Sequence, residues 1–413
     1  MKHQDAQTLA HRMAQAVPLE EVVSLAQTLV RMDSVAAPGR PHEQNVARFL
    51  ADRLEKAGLA VHVTEVAPLR LNVIAEWTGR GSGRTLLLEG HTDVVFEGPH
   101  ENWSRDPFSG DIEDGILYGR GSADMKGGLA CAVVVLETMA KLNPELPGII
   151  RLLIPCDEEG MMTGIKRMVA DGWAGRTRGS SIPADGAIIC EPEENELCLF
   201  QKGGIRIKAT FTGRQAHGAM PYAGLDPVPA LARFVLEVRE LQRHYQKLVG
   251  EHPMLGLPWL TATVLEAGSL PQLNVMHADA MVALDVRTAP GVEHEDVHSR
   301  LRAILGRLEL EEGAKTKYEI IDDRPWTATD PNATIVKALE AAHPFTLERA
   351  PKYGGVPGTT DGTFLHAAGV PIVTVGPGDR EIPHQPNEFV HICELESSAR
   401  LYAATAVLFL LET

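Results

Sequence analysis

The chain has 413 residues, 44% of them hydrophobic, and carries 39 basic against 55 acidic side chains for a formal charge of −16. That length exceeds what a single core organises, so two domains are expected. An acidic chain without a long basic run argues against tracking the phosphates of DNA or RNA, and the lack of an apolar stretch of membrane-span length or a leader-like start points to a soluble, cytoplasmic protein with no membrane partner.

Residues 1 to about 58 read as amphipathic helices, with Val22, Val23, Leu25, Ala26, Leu29 and Val30 on one face and Val46, Phe49, Leu50 and Leu54 on another. Strand-like runs follow at 59–67, 71–77, 85–90, 148–154, 186–190 and 370–376, separated by helical stretches such as 126–142 and 333–343. That alternation predicts an α/β architecture. From about 205 to 317 the rhythm changes to strand 205–211, helix 227–249, strands 261–267 and 280–287, helix 294–308 and strand 318–321. The order β-α-β-β-α-β is ferredoxin-like. This block is read as an insertion: 1–204 with 318–413 form one domain and 205–317 the other, with Lys202-Gly203-Gly204 and Gly313-Ala314-Lys315 as hinges. The five cysteines, odd in number and without CxxC spacing, read as buried thiols.

His91, Asp124, Glu159, Glu191 and His384 each stand at the end of an apolar run or in a glycine-rich turn, and none lies in the inserted block. In α/β sheets such strand ends converge on one site, and mixed His and carboxylate donors suit zinc, manganese or cobalt. Several of these segments also have a plainer explanation. Asp93, two positions after His91, orients that imidazole or caps the next turn. Asp124 is a cation ligand or the N-cap of the helix that follows. In Cys156-Asp157-Glu158-Glu159-Gly160 the acids share a loop with solvent, or one glutamate binds a cation while the other takes a proton. His294-Glu295-Asp296-Val297-His298 spells HExxH, but it opens a helix whose apolar face is Val297, Leu301, Ile304, Leu305 and Leu308, so it is read as a surface helix.

Together, His91-Thr92-Asp93, Trp103 with Asp106-Pro107-Phe108, Asp114 to Gly128 (DGILYGRGSADMKGG), Asp157-Glu158-Glu159-Gly160, Glu191-Pro192 and Pro383-His384-Gln385-Pro386 resemble the M20 metallopeptidases and deacylases, in order and over nearly the whole chain. The resemblance implies a zinc-peptidase-like catalytic domain with a central mixed, mostly parallel sheet and an inserted ferredoxin-like α+β lid and dimerisation domain. It implies two zinc ions per subunit, with cobalt or manganese as alternatives. Asp124 bridges them, His91 and Glu191 complete one site, and Glu159 and His384 the other. Glu158 is then the general base and Asp93 the partner of His91. A cis peptide is expected at Asp124–Met125. In the inserted block, His217 of Gly213-Arg214-Gln215-Ala216-His217-Gly218 matches the histidine that supports the tetrahedral intermediate, often from the partner subunit of a homodimer. Asn274 and Arg287 match substrate-holding positions, and Gly355 with Gly358 and Thr359 match a glycine-rich substrate loop whose Val-Pro-Gly-Thr-Thr form departs from many relatives.

The expected activity is hydrolysis of the amide bond of small N-acyl amino acids. Cleavage of dipeptides or of a peptide's carboxyl end is the alternative within the family. A two-metal phosphoesterase and a non-catalytic binding protein on the same fold are the rivals outside it.

Overall fold

The computed structural model describes residues 3–37, 40–41, 43–347 and 349–412. The chain divides into two compact units: Met1–Leu199 with Thr329–Gly355 and Thr360–Thr413, and Phe200–Ala328 with Val356–Thr359.

The first unit opens with helices α1 (His3–Ala16), α2 (Leu19–Val30) and α3 (Glu43–Lys56), then β1 (Ala60–Ala67), β2 (Arg70–Thr78), β3 (Thr85–Glu89), the short β4 (Ile116–Tyr118), α4 (Gly127–Leu142), β5 (Ile149–Ile154), α5 (Thr163–Ala170), β6 (Gly186–Ile189) and β7 (Leu197–Gln201). The second unit supplies β8 (Gly203–Thr212), α6 (Val228–Val249), β9 (Trp259–Ala267), β10 (Asp279–Thr288), α7 (His294–Glu312) and β11 (Lys315–Arg324). The chain returns to the first unit with α8 (Thr334–Thr346), α9 (Gly362–Ala367), β12 (Ile372–Thr374), β13 (Phe389–His391) and α10 (Ile392–Leu411).

The main nine-stranded sheet contains, in order, β7-β12-β6-β3-β5-β2-β1, with the short strands Thr327–Ala328 and Tyr353–Val356 also pairing on β7. β12, β6, β3 and β5 are mutually parallel, while β7, β2 and β1 pair antiparallel at the flanks. A strand in the middle of such a sheet is covered on both faces, which is why β3 carries the run Leu86-Leu87-Leu88 and is buried throughout. Leu87, Leu153, Ala187 and Ile189 pack on one face against Ile165 and Met168 of α5 and Leu365 of α9. α4, with most of its residues buried, packs against α10 and α2, and helices α1 and α8 join α10.

In the second unit the sheet order is β9-β10-β8-β11, antiparallel throughout, which is the ferredoxin-like arrangement. Alternate residues of β8 (Ile205, Ile207, Ala209, Phe211) face a core completed by Phe234 and Val238 of α6 and Leu301 and Leu305 of α7. β11 is one continuous strand paired with β8 from Lys315 to Arg324, so the expected boundary between 317 and 318 falls inside it.

Candidate metal centre

The parallel strands β3, β5, β6 and β12 are held in register beyond their last residues. Thr92 N–H donates to Pro155 O at 3.1 Å, Cys190 N–H to Glu89 O at 3.0 Å and Val375 N–H to Ile189 O at 2.9 Å. The segments that follow, carrying His91, Glu158 with Glu159, and Glu191, are thereby laid side by side. α4 closes on them through Gly128, where an added Cβ would stand 1.9 Å from the Cys190 carbonyl oxygen, so only glycine permits that approach.

Asp124 does not cap α4, which begins at Gly127 without a side-chain cap. Its backbone is non-helical, and the Asp124–Met125 peptide is cis, as expected. One carboxylate oxygen, Oδ1, lies 3.3 Å from His91 Nε2 and the other, Oδ2, lies 3.3 Å from His384 Nε2. His91 Nε2 is also 3.6 Å from Glu191 Oε1 and 3.9 Å from Glu158 Oε2, and His384 Nε2 is 3.2 Å from Glu159 Oε1. Two overlapping sets, His91 with Glu158 and Glu191 and His91 with Asp124 and Glu159, each bring their donor atoms within 4.8 Å of one another.

These separations test whether cations fit. Donors about 2.1 Å from a tetrahedral ion stand about 3.4 Å from each other, longer than a good hydrogen bond. The observed 3.2–3.6 Å spacings between His91, Asp124, Glu191, His384 and Glu159 match that geometry. His91 Nε2 is buried and makes no hydrogen bond. The residues fit a pair of divalent cations.

The electrostatics agree. Burial pushes the Glu158 carboxyl well above its ordinary range, with Glu159 and Glu191 adding to the rise and His91 opposing it. Burial and the Asp124 charge raise Glu191 to about 7 and also raise Glu159. Burial acts to raise Asp124 as well, but His384 and His91 hold it below the usual carboxylate range. The same contacts with Asp124 and Glu159 raise His384 to about 10. Carboxylates crowded in a buried place demand protons or cations.

Asp93 is fully buried, and its backbone carbonyl lies closer to the His91 ring than its carboxylate does. The His91 Nδ1 atom lies 2.9 Å from the Asp93 backbone carbonyl oxygen and 3.6 Å from its Oδ1. The Asp93 carboxylate instead accepts the backbone N–H groups of Glu158 and Glu159, each at 3.1 Å. Two further residues to which the sequence assigns no role are Arg120, inside the quoted motif, and Glu388, whose buried ion pair adjoins Asp124 and His384. The only hint was that a charged residue stood between Gly119 and Gly121.

In the second unit, His217 and Asn274 are neighbours: His217 pairs with Val275, and Gly218 N–H donates to Asn274 O at 2.7 Å. His217 is exposed, and its Nδ1 accepts the Ala219 N–H at 3.0 Å. Arg287 is held by Asp285 through two bonds of 2.7 and 3.1 Å. Arg287 and Thr359 both border Gly204, where an added Cβ would lie 3.7 Å from each side chain, while Gly358 has open space around it. The HExxH histidines turn to Asp323, His294 Nδ1 at 2.5 Å and His298 Nε2 at 2.8 Å, and Glu295 points to solvent. That motif is a structural cluster.

The sequence matches peptidase family M20/M25/M40 over residues 87–407. It is 31% identical to the succinyl-diaminopimelate desuccinylase of Xanthomonas campestris pv. campestris (strain 8004) over 390 residues, covering 92% of this chain and 97% of that one. Its fold is similar to that of an M20 family metallo-carboxypeptidase from Sulfolobus solfataricus, with a TM-score of 0.75 and 20% identity over 95% of this chain and all of that one. It is also similar to a dinuclear metal binding M20 peptidase from Bacillus subtilis, with a TM-score of 0.68 and 16% identity over 95% of this chain and 98% of that one. No helix among the described residues is long and apolar enough to cross a membrane. With strand-end acids and histidines spaced for cations and a family match over most of its length, the chain belongs to peptidase family M20/M25/M40 and is a metal-dependent amide hydrolase.

Proposed function

We propose that this chain is a cytoplasmic deacylase that removes the acyl group from small N-acyl amino acids, with N-succinyl amino acids the first class to test. The observation that carries the reading is the placement of Asp124, each of whose carboxylate oxygens faces a different histidine at 3.3 Å. A carboxylate so placed suits a bridge between two cations, held on one side by His91 and Glu191 and on the other by Glu159 and His384. Zinc is the proposed metal, with cobalt or manganese as alternatives. When bound, such a pair polarises the scissile carbonyl and lowers the pKa of a water towards about 7.

Glu158, buried beside His91, takes the proton of the attacking water and returns it to the leaving nitrogen. Asp93 fixes the backbone of that glutamate. The inserted unit supplies recognition: His217 donates to the oxyanion, Asn274, Gly358 and Thr359 hold the substrate, and Arg287 receives its carboxylate. The same reading makes the protein a homodimer through the inserted unit, with His217 acting on the partner's site.

The desuccinylase name of the Xanthomonas relative favours deacylation over dipeptide cleavage. Liquid chromatography of the zinc-loaded protein against N-succinyl and N-acetyl amino acids, dipeptides and phosphate monoesters tests the proposal. Release of free amino acid from the acylated substrates is expected. Faster turnover of dipeptides, or cleavage of the phosphate esters alone, would overturn it.

A further inference from the structure

Arg120 and Glu388 are each only 1% exposed and form an ion pair in the interior of the first unit. The pair is placed between two proposed cation ligands. Glu388 Oε1 accepts the backbone N–H groups of Ala123 at 3.0 Å and Asp124 at 3.1 Å, and Glu388 Oε2 pairs with Arg120 Nη1. Arg120 Nη2 donates to the carbonyl oxygen of His384 at 3.3 Å. A continuous line of bonds therefore runs from the backbone of Asp124, through one carboxylate and one guanidinium, to the backbone of His384.

Further contacts brace this line. The Arg120 guanidinium lies over the Trp103 ring at 5.2 Å. Gly119 N–H donates to the Glu388 backbone carbonyl at 2.9 Å, and the next residues pair as β13 against β4, with Phe389 opposite Tyr118. His384 needs such support. It stands in a loop at φ 67° with its side chain 55% exposed, whereas the other proposed ligands are anchored at the ends of strands or inside the fold.

A buried ion pair adds little net stability, because desolvating two charges offsets their attraction. Its value here lies in position: a planar guanidinium and a carboxylate have several bonding directions fixed relative to each other, and both are used on backbone groups of ligand residues. We propose that Arg120 and Glu388 are positioning residues that set the distance between the Asp124 carboxylate and the His384 imidazole, and through it the affinity for the second cation. The inference rests on the two-cation reading given above.

The test is titration of the metal-free protein with Zn2+ in competition with a chromophoric chelator, alongside melting temperature and far-ultraviolet circular dichroism. The wild-type chain is expected to take up two ions. Arg120→Lys retains the charge but replaces the planar fork, whose two nitrogens separately bond Glu388 and the His384 carbonyl, with a single shorter-reaching ammonium, and Glu388→Gln turns an amide donor towards either the guanidinium or the backbone N–H groups. Each should bind the first ion as the wild type does and the second about 10- to 100-fold more weakly, the loss typical of outer contacts to metal ligands. The double change Arg120→Met with Glu388→Met removes both charges, so its melting temperature should recover relative to the single variants. Its second-ion affinity should stay low. Wild-type affinity for both ions in a folded single variant, or second-ion affinity that returns together with melting temperature in the double variant, overturns the proposal. A wild-type chain that takes up fewer than two ions would instead sink the two-cation reading itself.

Discussion

The carboxylate of Asp93 accepts the backbone N–H of Glu158 at 3.1 Å, so the residue two positions after a proposed cation ligand fixes the proposed base. Its other oxygen does the same for Glu159. Asp93→Asn keeps the size but turns one amide N–H towards a backbone N–H, leaving a buried donor without an acceptor. Turnover is expected to fall about 10- to 100-fold with a smaller change in KM, as for other contacts that orient metal ligands. If steady-state kinetics of the zinc-loaded variant instead show a loss confined to KM, Asp93 does not act through the glutamates.

Glu158→Gln separates cation binding from chemistry. The amide occupies the same buried place but cannot take a proton, so bound zinc, read by elemental analysis, should remain at the wild-type ratio while kcat drops by about 100- to 10,000-fold. The buried, raised carboxyl of Glu158 is the feature that suits it to the task. A variant that retains a tenth of the wild-type rate would remove Glu158 from proton transfer.

The cluster around Asp323 gives a pH dependence with a definite sign. Burial acts to raise its carboxyl, but hydrogen bonds from His294 and His298 hold it below the ordinary range. A group whose pKa is lower folded than unfolded contributes stability above its unfolded value, about 3.9, and loses it as pH falls towards the folded value. Hydrogen exchange of segment 294–324 should therefore be faster in Asp323→Asn than in the wild type at pH 6 to 7, and the difference should shrink as pH falls below about 4. Zinc uptake should be unchanged, because the HExxH histidines serve this carboxylate. A drop in bound zinc would return that motif to the metal chemistry.

What was legible in the sequence were features written in local runs. Strands β3, β5, β6 and β12 are mostly apolar because both faces are covered, and the acids and histidines after them stand out for the same reason. Relations between distant segments were not legible. Asp93 is 65 positions from Glu158 and Arg120 is 268 from Glu388, and nothing in either neighbourhood announces the other. The helix cap suggested for Asp124 failed because the backbone leaves helical geometry at that residue, which residue type alone does not reveal. The ion pair of Arg287 with Asp285 joins residues two apart on a strand, which share a face.

That pair makes the carboxylate role of Arg287 testable in a sharper form. In the structure the guanidinium already spends Nε and Nη2 on Asp285, so a substrate carboxylate has to be received on the remaining nitrogen or compete for those two. Under the recognition role, Arg287→Ala should lower kcat/KM for a free N-acyl amino acid by about 10- to 100-fold, the worth of a charged hydrogen bond of roughly 1.5–3 kcal/mol. The same substitution should barely change the rate on the methyl ester of that substrate. Asp285→Asn weakens the competing pair and should lower KM for the free acid while leaving the ester alone. A purely structural pair predicts the opposite pattern: both variants would lose thermal stability, and both would treat acid and ester alike. Measuring the acid-to-ester ratio of kcat/KM in the wild type and the two variants decides between them, because a general loss of folded protein lowers both rates and leaves the ratio fixed.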